Sequence, residues 1–343
     1  MTKRIYVAYT GGTFGMTRTP SGYQPQPGLA QRLAGLLPAA GEAGMPAWEL
    51  HEYARLIDSA EAGPRDWHAV ARDITARYDD YDGFVVIHGT DTMAYTASAL
   101  SFALAGVKKP VIVTGAQIPL AEPRSDARDN LLAALLIAAN HPLPEVCLYF
   151  HGRLMRGNRA TKVSSVAFDA FASPNWPVLG RVGIAITIDR RAVLAPPERE
   201  AFVLTDPAGA GEVALLRLYP GLSVGWLVRL LEPPLAGLVL QSYGAGNGPV
   251  GLPGFVDALA AASAHGTVIV NVSQCAEGGI DPRKYATGSA LADAGVVGAS
   301  DMTVEAALTK LHHLLARGLG ADTVRQRFAE PLCGECASPS ADP

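Results

Sequence analysis

The chain has 343 residues, 49% of them hydrophobic and 17% charged. That is enough apolar material for one large or two medium cores, and it excludes disorder over most of the length. Twenty-eight basic against thirty-two acidic residues give a formal net charge of -4 without any basic block, so no nucleic-acid partner is expected. The longest apolar stretches, such as Leu131 to Ala139, are too short to cross a bilayer, and no membrane association is expected. A strand-like run begins at Ile5, which leaves no room for an export signal and predicts a cytoplasmic location.

In chain order, short β-branched runs alternate with longer segments rich in alanine and leucine. This is the pattern of an α/β fold with a parallel sheet between helices. Strands are predicted at Ile5 to Tyr9, Glu49 to Leu56, Gly83 to His88, Val111 to Thr114, Val146 to Phe150 and Gly183 to Ile188. Helices are predicted at Gly28 to Leu37, Pro64 to Tyr78, Met93 to Ala105 and Asp126 to Ala139, each with apolar residues at three- and four-residue spacing. From Asp189 to Gly211 the chain is rich in proline, charge and small residues, and it reads as a linker. A second, shorter α/β unit follows. Its strands lie near Val213 to Leu218, Gly237 to Gln241 and Thr267 to Asn271, and its helices near Ser223 to Leu231, Gly254 to Ala264 and Thr303 to Arg317. The expected organisation is therefore a larger N-terminal domain over 1–188, a linker over 189–211, a smaller C-terminal domain over 212–333 and a flexible tail over 334–343.

Four scattered cysteines (Cys147, Cys275, Cys333, Cys336) are too few for a disulfide framework, which fits a reducing compartment. Cys333 and Cys336 form a C-x-x-C pair without the further ligands or βαβ context of a metal or redox site, so the pair is read as inert. The eight histidines, His88 and the adjacent His312 and His313 among them, lack metal-ligand spacing. No metal and no cofactor are expected.

In an open parallel sheet, ligands collect beyond the carboxyl ends of the strands. Two such ends are followed by glycine and hydroxyl residues: Thr10-Gly11-Gly12-Thr13 after the first strand, and Gly89-Thr90-Asp91-Thr92 before the third helix. Glycine permits a sharp turn and close approach of a ligand. Neither G-x-G-x-x-G nor G-x-x-x-x-G-K-[ST] occurs, which disfavours a phosphate cradle. What remains is a set of hydroxyls with Asp91 and, further on, Lys162. A threonine hydroxyl is a feeble nucleophile unless a base such as a desolvated lysine or a tyrosinate stands beside it. Taken singly, each residue has an ordinary reading. Thr13 could satisfy its own turn, Asp91 could cap the following helix, Tyr23 could be a loop aromatic and Lys162 a surface charge.

Together these segments resemble the bacterial-type L-asparaginase and glutaminase family, most like its cytosolic branch. The similarity is carried by Thr10-Gly11-Gly12-Thr13, Ser21-Gly22-Tyr23-Gln24-Pro25, Ile57-Asp58-Ser59, Val86 to Met93, Thr114-Gly115-Ala116-Gln117, the stretch ending in Lys162, Ser242 to Asn247 and Asp301 to Ala307. It covers nearly the whole chain up to about Leu315. The resemblance implies an amidohydrolase that converts L-asparagine to L-aspartate and ammonia through a threonine nucleophile, with glutaminase activity as a secondary capacity. It implies that Thr13 attacks the amide carbon, with Tyr23 beside it on a mobile hairpin. Thr90, Asp91 and Lys162 would form a second catalytic group. Asp58 and Ser59 would hold the α-carboxylate and α-ammonium region of the substrate, and Gly89, Thr90 and Ala116 would lie near the amide.

The resemblance further implies a homodimer or homotetramer in which Asn247 lies near a partner's substrate. A regulatory asparagine pocket in cytosolic members commonly carries an arginine where this chain has Gln241, so catalysis is expected and cooperative control is not. Two other readings are an ammonia-releasing component of an amidotransferase, which usually carries an additional N-terminal domain, and a silent amino-acid sensor on the same fold. Intact Thr13, Thr90, Asp91 and Lys162 argue against silence.

Overall fold

The computed structural model describes residues 2–233, 235–281 and 286–337. The chain divides into two compact units, residues 1–204 and 205–343. The division falls inside the stretch expected as a linker. Much of that stretch is held by the first unit, since Ala201 and Val203 donate backbone hydrogen bonds to the carbonyls of Ala105 and Ala103.

The first unit contains β1 (Arg4–Gly11), β2 (Met16–Thr19), β3 (Gly22–Pro25), β4 (Ala47–Ile57), β5 (Gly83–Ile87), β6 (Val111–Thr114), β7 (Val146–Phe150), β8 (Arg153–Arg156), β9 (Thr161–Lys162), β10 (Phe171–Ala172), β11 (Gly180–Val182) and β12 (Ile186–Ile188). Its helices are α1 (Leu29–Leu33), α2 (Pro64–Ala76), α3 (Met93–Ala103) and α4 (Ala127–Asn140). Eight strands form the main sheet in the order β12-β11-β8-β7-β6-β5-β1-β4. Strands β4, β1, β5, β6 and β7 run parallel, while β8, β11 and β12 add antiparallel pairs at one side.

Both faces of this sheet are covered, and the strand sequences show why. In β1, Ile5, Val7 and Tyr9 enter one core with Leu131, Leu135 and Ile137 of α4, while Tyr6 and Ala8 enter the other with Val70 and Ile74 of α2 and Ala97 and Leu100 of α3. Because side chains alternate across the sheet, a strand buried on both faces must be apolar at nearly every position. The sheet order also contains a reversal. From β1 the chain goes to β4 on one side and then to β5 on the other, so the connections diverge at the β1 and β5 tips.

Two expectations shift. The first helix stops at Leu33, because Ala34 is extended and Gly35 takes a left-handed φ of 78°. The strand expected over Gly183 to Ile188 is a short antiparallel pair, Gly180–Val182 with Ile186–Ile188.

The second unit holds a four-stranded parallel sheet in the order β13-β14-β15-β16: β13 (Glu212–Arg217), β14 (Leu235–Ser242), β15 (Val268–Ser273) and β16 (Val297–Gly298). One face packs on α5 (Val224–Leu230) and α6 (Phe255–Ala264), the other on α8 (Val304–Leu315) and α9 (Ala321–Ala329). Helix α7 (Ala286–Asp293) and α9 were not anticipated from periodicity; α9 buries only Val324 and Phe328. Where a flexible tail was expected from residue 334, Glu335 and Cys336 are instead buried. Residues 338–343 of that expected tail lie outside the described residues.

Candidate active site

Four neighbouring parallel strands, in the sheet order β6-β5-β1-β4, deliver the residues of interest at their carboxyl ends. After β1 comes a single 3-10 turn, Thr13–Gly15; after β4, Asp58 and Ser59; after β5, His88 to Thr92; after β6, Gly115 to Gln117. The β1 and β5 tips are pressed together. The Thr10 hydroxyl donates to the Ile87 carbonyl at 3.0 Å, and a Cβ added to Gly12 would overlap the Gly89 backbone. Gly12 adopts φ 78°, a conformation that favours glycine on backbone grounds as well. Thr13 and Thr90 are therefore the next residues beyond two touching glycines.

Thr90 is buried, and its hydroxyl faces Lys162 Nζ at 2.8 Å. The same ammonium reaches Asp91 Oδ1 at 2.7 Å. Lys162 stands on β9, directly after the turn Gly157–Arg159, in which Asn158 and Arg159 are buried and Arg159 lies over the Trp176 ring. That anchored turn aims a lysine from 72 positions away at Thr90. Asp91 does not cap α3: Thr92 occupies the cap position and no side chain closes it. The carboxylate is committed to Lys162 instead.

Ser59 is buried under the β5 tip. Its hydroxyl accepts the Asp91 backbone N–H at 3.3 Å, and its carbonyl accepts the Thr92 hydroxyl at 2.7 Å. Asp58 is exposed and uses one oxygen to accept the Ala60 N–H at 3.1 Å. Ala116 is fully buried and its methyl belongs to the core, so only its backbone is free to meet a ligand. The Thr13 hydroxyl makes no hydrogen bond to any described residue. Its turn does not use it.

Tyr23 lies on the hairpin formed by β2 and β3 and donates its hydroxyl to Glu122 Oε1 at 2.7 Å. That bond to a carboxylate pushes the phenol above its ordinary range, because ionising it would leave two like charges in contact. Asn247 belongs to the second unit. There its amide oxygen accepts the Thr287 hydroxyl at 2.6 Å and its backbone pairs with Tyr243.

Three contributors were not singled out from sequence. Gln117 accepts the Thr90 hydroxyl at 3.3 Å and donates to the Ala167 carbonyl at 3.0 Å. Glu122 holds Tyr23. His88, read as an ordinary strand-end residue, bridges the Gly89 carbonyl (2.8 Å) and the Thr96 hydroxyl (2.9 Å). Burial lowers its pKa, so the neutral ring donates to Gly89 and accepts from Thr96, fixing the β5 tip. A polar residue buried at a strand end signals this role, but only once its burial is known.

Among the described residues no group of three or more His, Cys, Asp and Glu could hold a metal ion, and no helix is long and apolar enough to cross a membrane.

Comparison with known proteins places this arrangement. Residues 4–194 match the family "Asparaginase, N-terminal" and residues 212–328 match the "Glutaminase/Asparaginase C-terminal domain". L-asparaginase 1 of Escherichia coli strain K12 is 51% identical over 334 residues, covering 97% of this chain and 98% of that one. The 60 kDa lysophospholipase of Mus musculus is 40% identical over 361 residues, covering 99% of this chain but 64% of that longer protein. The crystal structure of L-asparaginase I from Vibrio cholerae superposes with a TM-score of 0.89 at 44% identity, covering 98% of this chain and all of that one. Both halves of the fold match in order and along nearly the full length, and the chain belongs to the asparaginase family of amidohydrolases.

Proposed function

We propose that the chain is an L-asparaginase, hydrolysing the side-chain amide of L-asparagine to L-aspartate and ammonia, with glutamine as a secondary substrate. The observation that supports this reading is the close approach of the Gly12 and Gly89 backbones, the residues that precede Thr13 and Thr90, together with the bonds of Lys162 to Thr90 and Asp91. Thr13 forms a bond from its oxygen to the amide carbon, and its proton passes to a neighbouring basic group. The carbon–nitrogen bond breaks as that group hands the proton on to the leaving nitrogen, and ammonia departs; water then cleaves the acyl-enzyme, yielding the carboxylic acid and restoring the threonine. The carbonyl oxygen gains negative charge along the way, and fixed backbone N–H groups at a tight turn are suited to it, each worth about 3 kcal/mol.

In this reading Thr90, with Lys162 and Asp91, positions and activates the nucleophile or the water. Tyr23, its proton committed to Glu122, acts as a hydrogen-bond partner rather than as a tyrosinate. Asp58 and Ser59 hold the charged end of the substrate, Asp91 faces its ammonium, and Gly89 and Ala116 line the amide. Residues 1–188 form the catalytic domain. A homodimer or homotetramer working in the cytoplasm completes the proposal, with Asn247 serving a neighbouring copy. Glutamine differs by one methylene, a change worth about 1–3 kcal/mol in a fitted pocket, which makes it the weaker substrate.

The test is ammonia release from asparagine and from glutamine by the purified protein, beside Thr13→Ala and Thr90→Val. Each substitution is expected to lower turnover roughly a hundredfold or more. Turnover near that of the unsubstituted protein in both variants would refute the site.

A further inference from the structure

We propose that Glu122 is the tether of the β2–β3 hairpin, a positioning residue that holds Tyr23 in register with Thr13 and Thr90. Its consequence for turnover rests on the hydrolase reading above. The tether itself rests on geometry.

The hairpin has little else to hold it. Its strands pair with each other from Met16 with Pro25 to Thr19 with Gly22, and its side-chain bonds other than that of Tyr23 are internal, among them the Thr19 hydroxyl to the Gly22 carbonyl and the Gln24 amide to the Ser21 hydroxyl. Residues 20–24 are exposed. Among the described residues, the bond from Tyr23 to Glu122 is the one hydrogen bond from residues 17–24 to the rest of the chain. A lone two-stranded hairpin is marginally stable in water, so its position depends on its base and on this single contact. At the base, the Gln26 N–H reaches the Gly15 carbonyl at a long 3.4 Å.

Glu122, by contrast, stands on a stiff loop. Its N–H donates to the Pro119 carbonyl at 2.9 Å, its carbonyl accepts the Ser125 N–H at 3.1 Å, and the Ser125 hydroxyl donates to the Ile118 carbonyl at 2.9 Å. The Asp126 carboxylate accepts the N–H groups of Gln117 and Ile118 and the Asn130 amide. The same loop is bonded to the turn that carries Thr13, through the Leu120 N–H to the Phe14 carbonyl at 3.0 Å, and it begins at Gln117, which accepts from Thr90. Glu122 therefore transfers the rigidity of the Thr13 and Thr90 frame to a hairpin that lacks its own. A short O–H···O⁻ bond of 2.7 Å is suited to this, because it is directional and charge-assisted, yet exposed enough to reopen.

Amide hydrogen exchange of residues 17–24 in the full chain tests the tether without relying on turnover. Glu122→Ala and Tyr23→Phe are each expected to speed exchange there about five-fold, and the double variant no further, since both remove the same bond. The thermal midpoint should stay where it is. In the same proteins Glu122→Ala should raise the KM for asparagine several-fold while kcat changes less. Unchanged exchange in Glu122→Ala, additive effects in the double variant, or faster exchange with an unaltered KM would each overturn the proposal. If the unsubstituted chain releases no ammonia, the hydrolase reading fails and the exchange result still decides the tether.

Discussion

Two lysine–carboxylate pairs in this molecule are nearly the same length and have opposite characters. Lys162 meets Asp91 at 2.7 Å with their side chains 18% and 63% exposed; Lys310 meets Glu335 at 2.5 Å with both at 0%. Around the buried pair every group is used. The Lys310 ammonium also donates to the carbonyls of Phe328 (2.8 Å) and Glu330 (2.6 Å) and lies over the Phe328 ring, while Glu335 accepts the N–H groups of Leu332 and Cys333. Such a pair closes residues 332–336 onto α8 and leaves no atom for a ligand. The more exposed pair keeps one Asp91 carboxylate oxygen open to solvent beside the buried Thr90 hydroxyl. The difference teaches that an ion pair becomes chemistry where its hydrogen-bonding capacity is left incomplete.

The sharpest way to break this comparison is to remove one lysine from each pair. Lys162→Met is expected to lower ammonia release roughly a hundredfold or more, while the unfolding free energy changes by less than about 1 kcal/mol, because an exposed pair contributes little. Parallel losses of activity and stability would show that the exposed pair is structural too. Lys310→Met should cost about 3–5 kcal/mol in urea unfolding, since it strands a buried carboxylate. A loss under about 1 kcal/mol would mean that burial does not separate the pairs.

A smaller effect sharpens the picture of the same helix. His313, three positions from Lys310, has its pKa lowered to about 4, chiefly by burial and secondarily by Arg317. The unfolded chain takes up this proton near the ordinary value of 6.5, so the unfolded state binds more protons between the two values. Stability from this group is complete above about 6.5 and is lost as the pH falls towards about 4, by an amount on the order of 3 kcal/mol. Urea titrations across that window should show the slope, and His313→Gln should reduce it, leaving the part due to other histidines whose pKa burial lowers, such as His88 and His312; an equal slope in both proteins would assign the acid sensitivity elsewhere.

Much of the fold was legible because local pattern and burial coincide. Val111 to Thr114 is a β-branched run and Val146 to Phe150 an apolar one ending in two aromatics; both are buried throughout and form strands at the expected bounds. The pairs β9–β10 and β11–β12 were harder to read, because two- and three-residue strands carry no period. The hairpin of Tyr23 came from the family resemblance rather than from alternation. At the site, Thr13, Thr90, Asp91 and Lys162 stood out as motif residues. Glu122 did not, and Gln117 stood in a motif without a role, since a glutamate in a turn and a glutamine after a strand are ordinary until their partners are known.

The amino-acid order alone determined which segments become two-sided strands, which become one-faced helices, and that glycine turns with hydroxyls follow two strand ends. Those are local properties, set by side-chain period and backbone sterics within a few residues. Only tertiary structure decided that β1 and β5 are neighbours, that Lys162 crosses 72 positions to Thr90, that Tyr23 crosses 99 to Glu122, and that one ion pair is sealed while another stays open. Distances of a few ångströms between residues far apart in the chain depend on the sum of all packing, and no short window of sequence contains that sum.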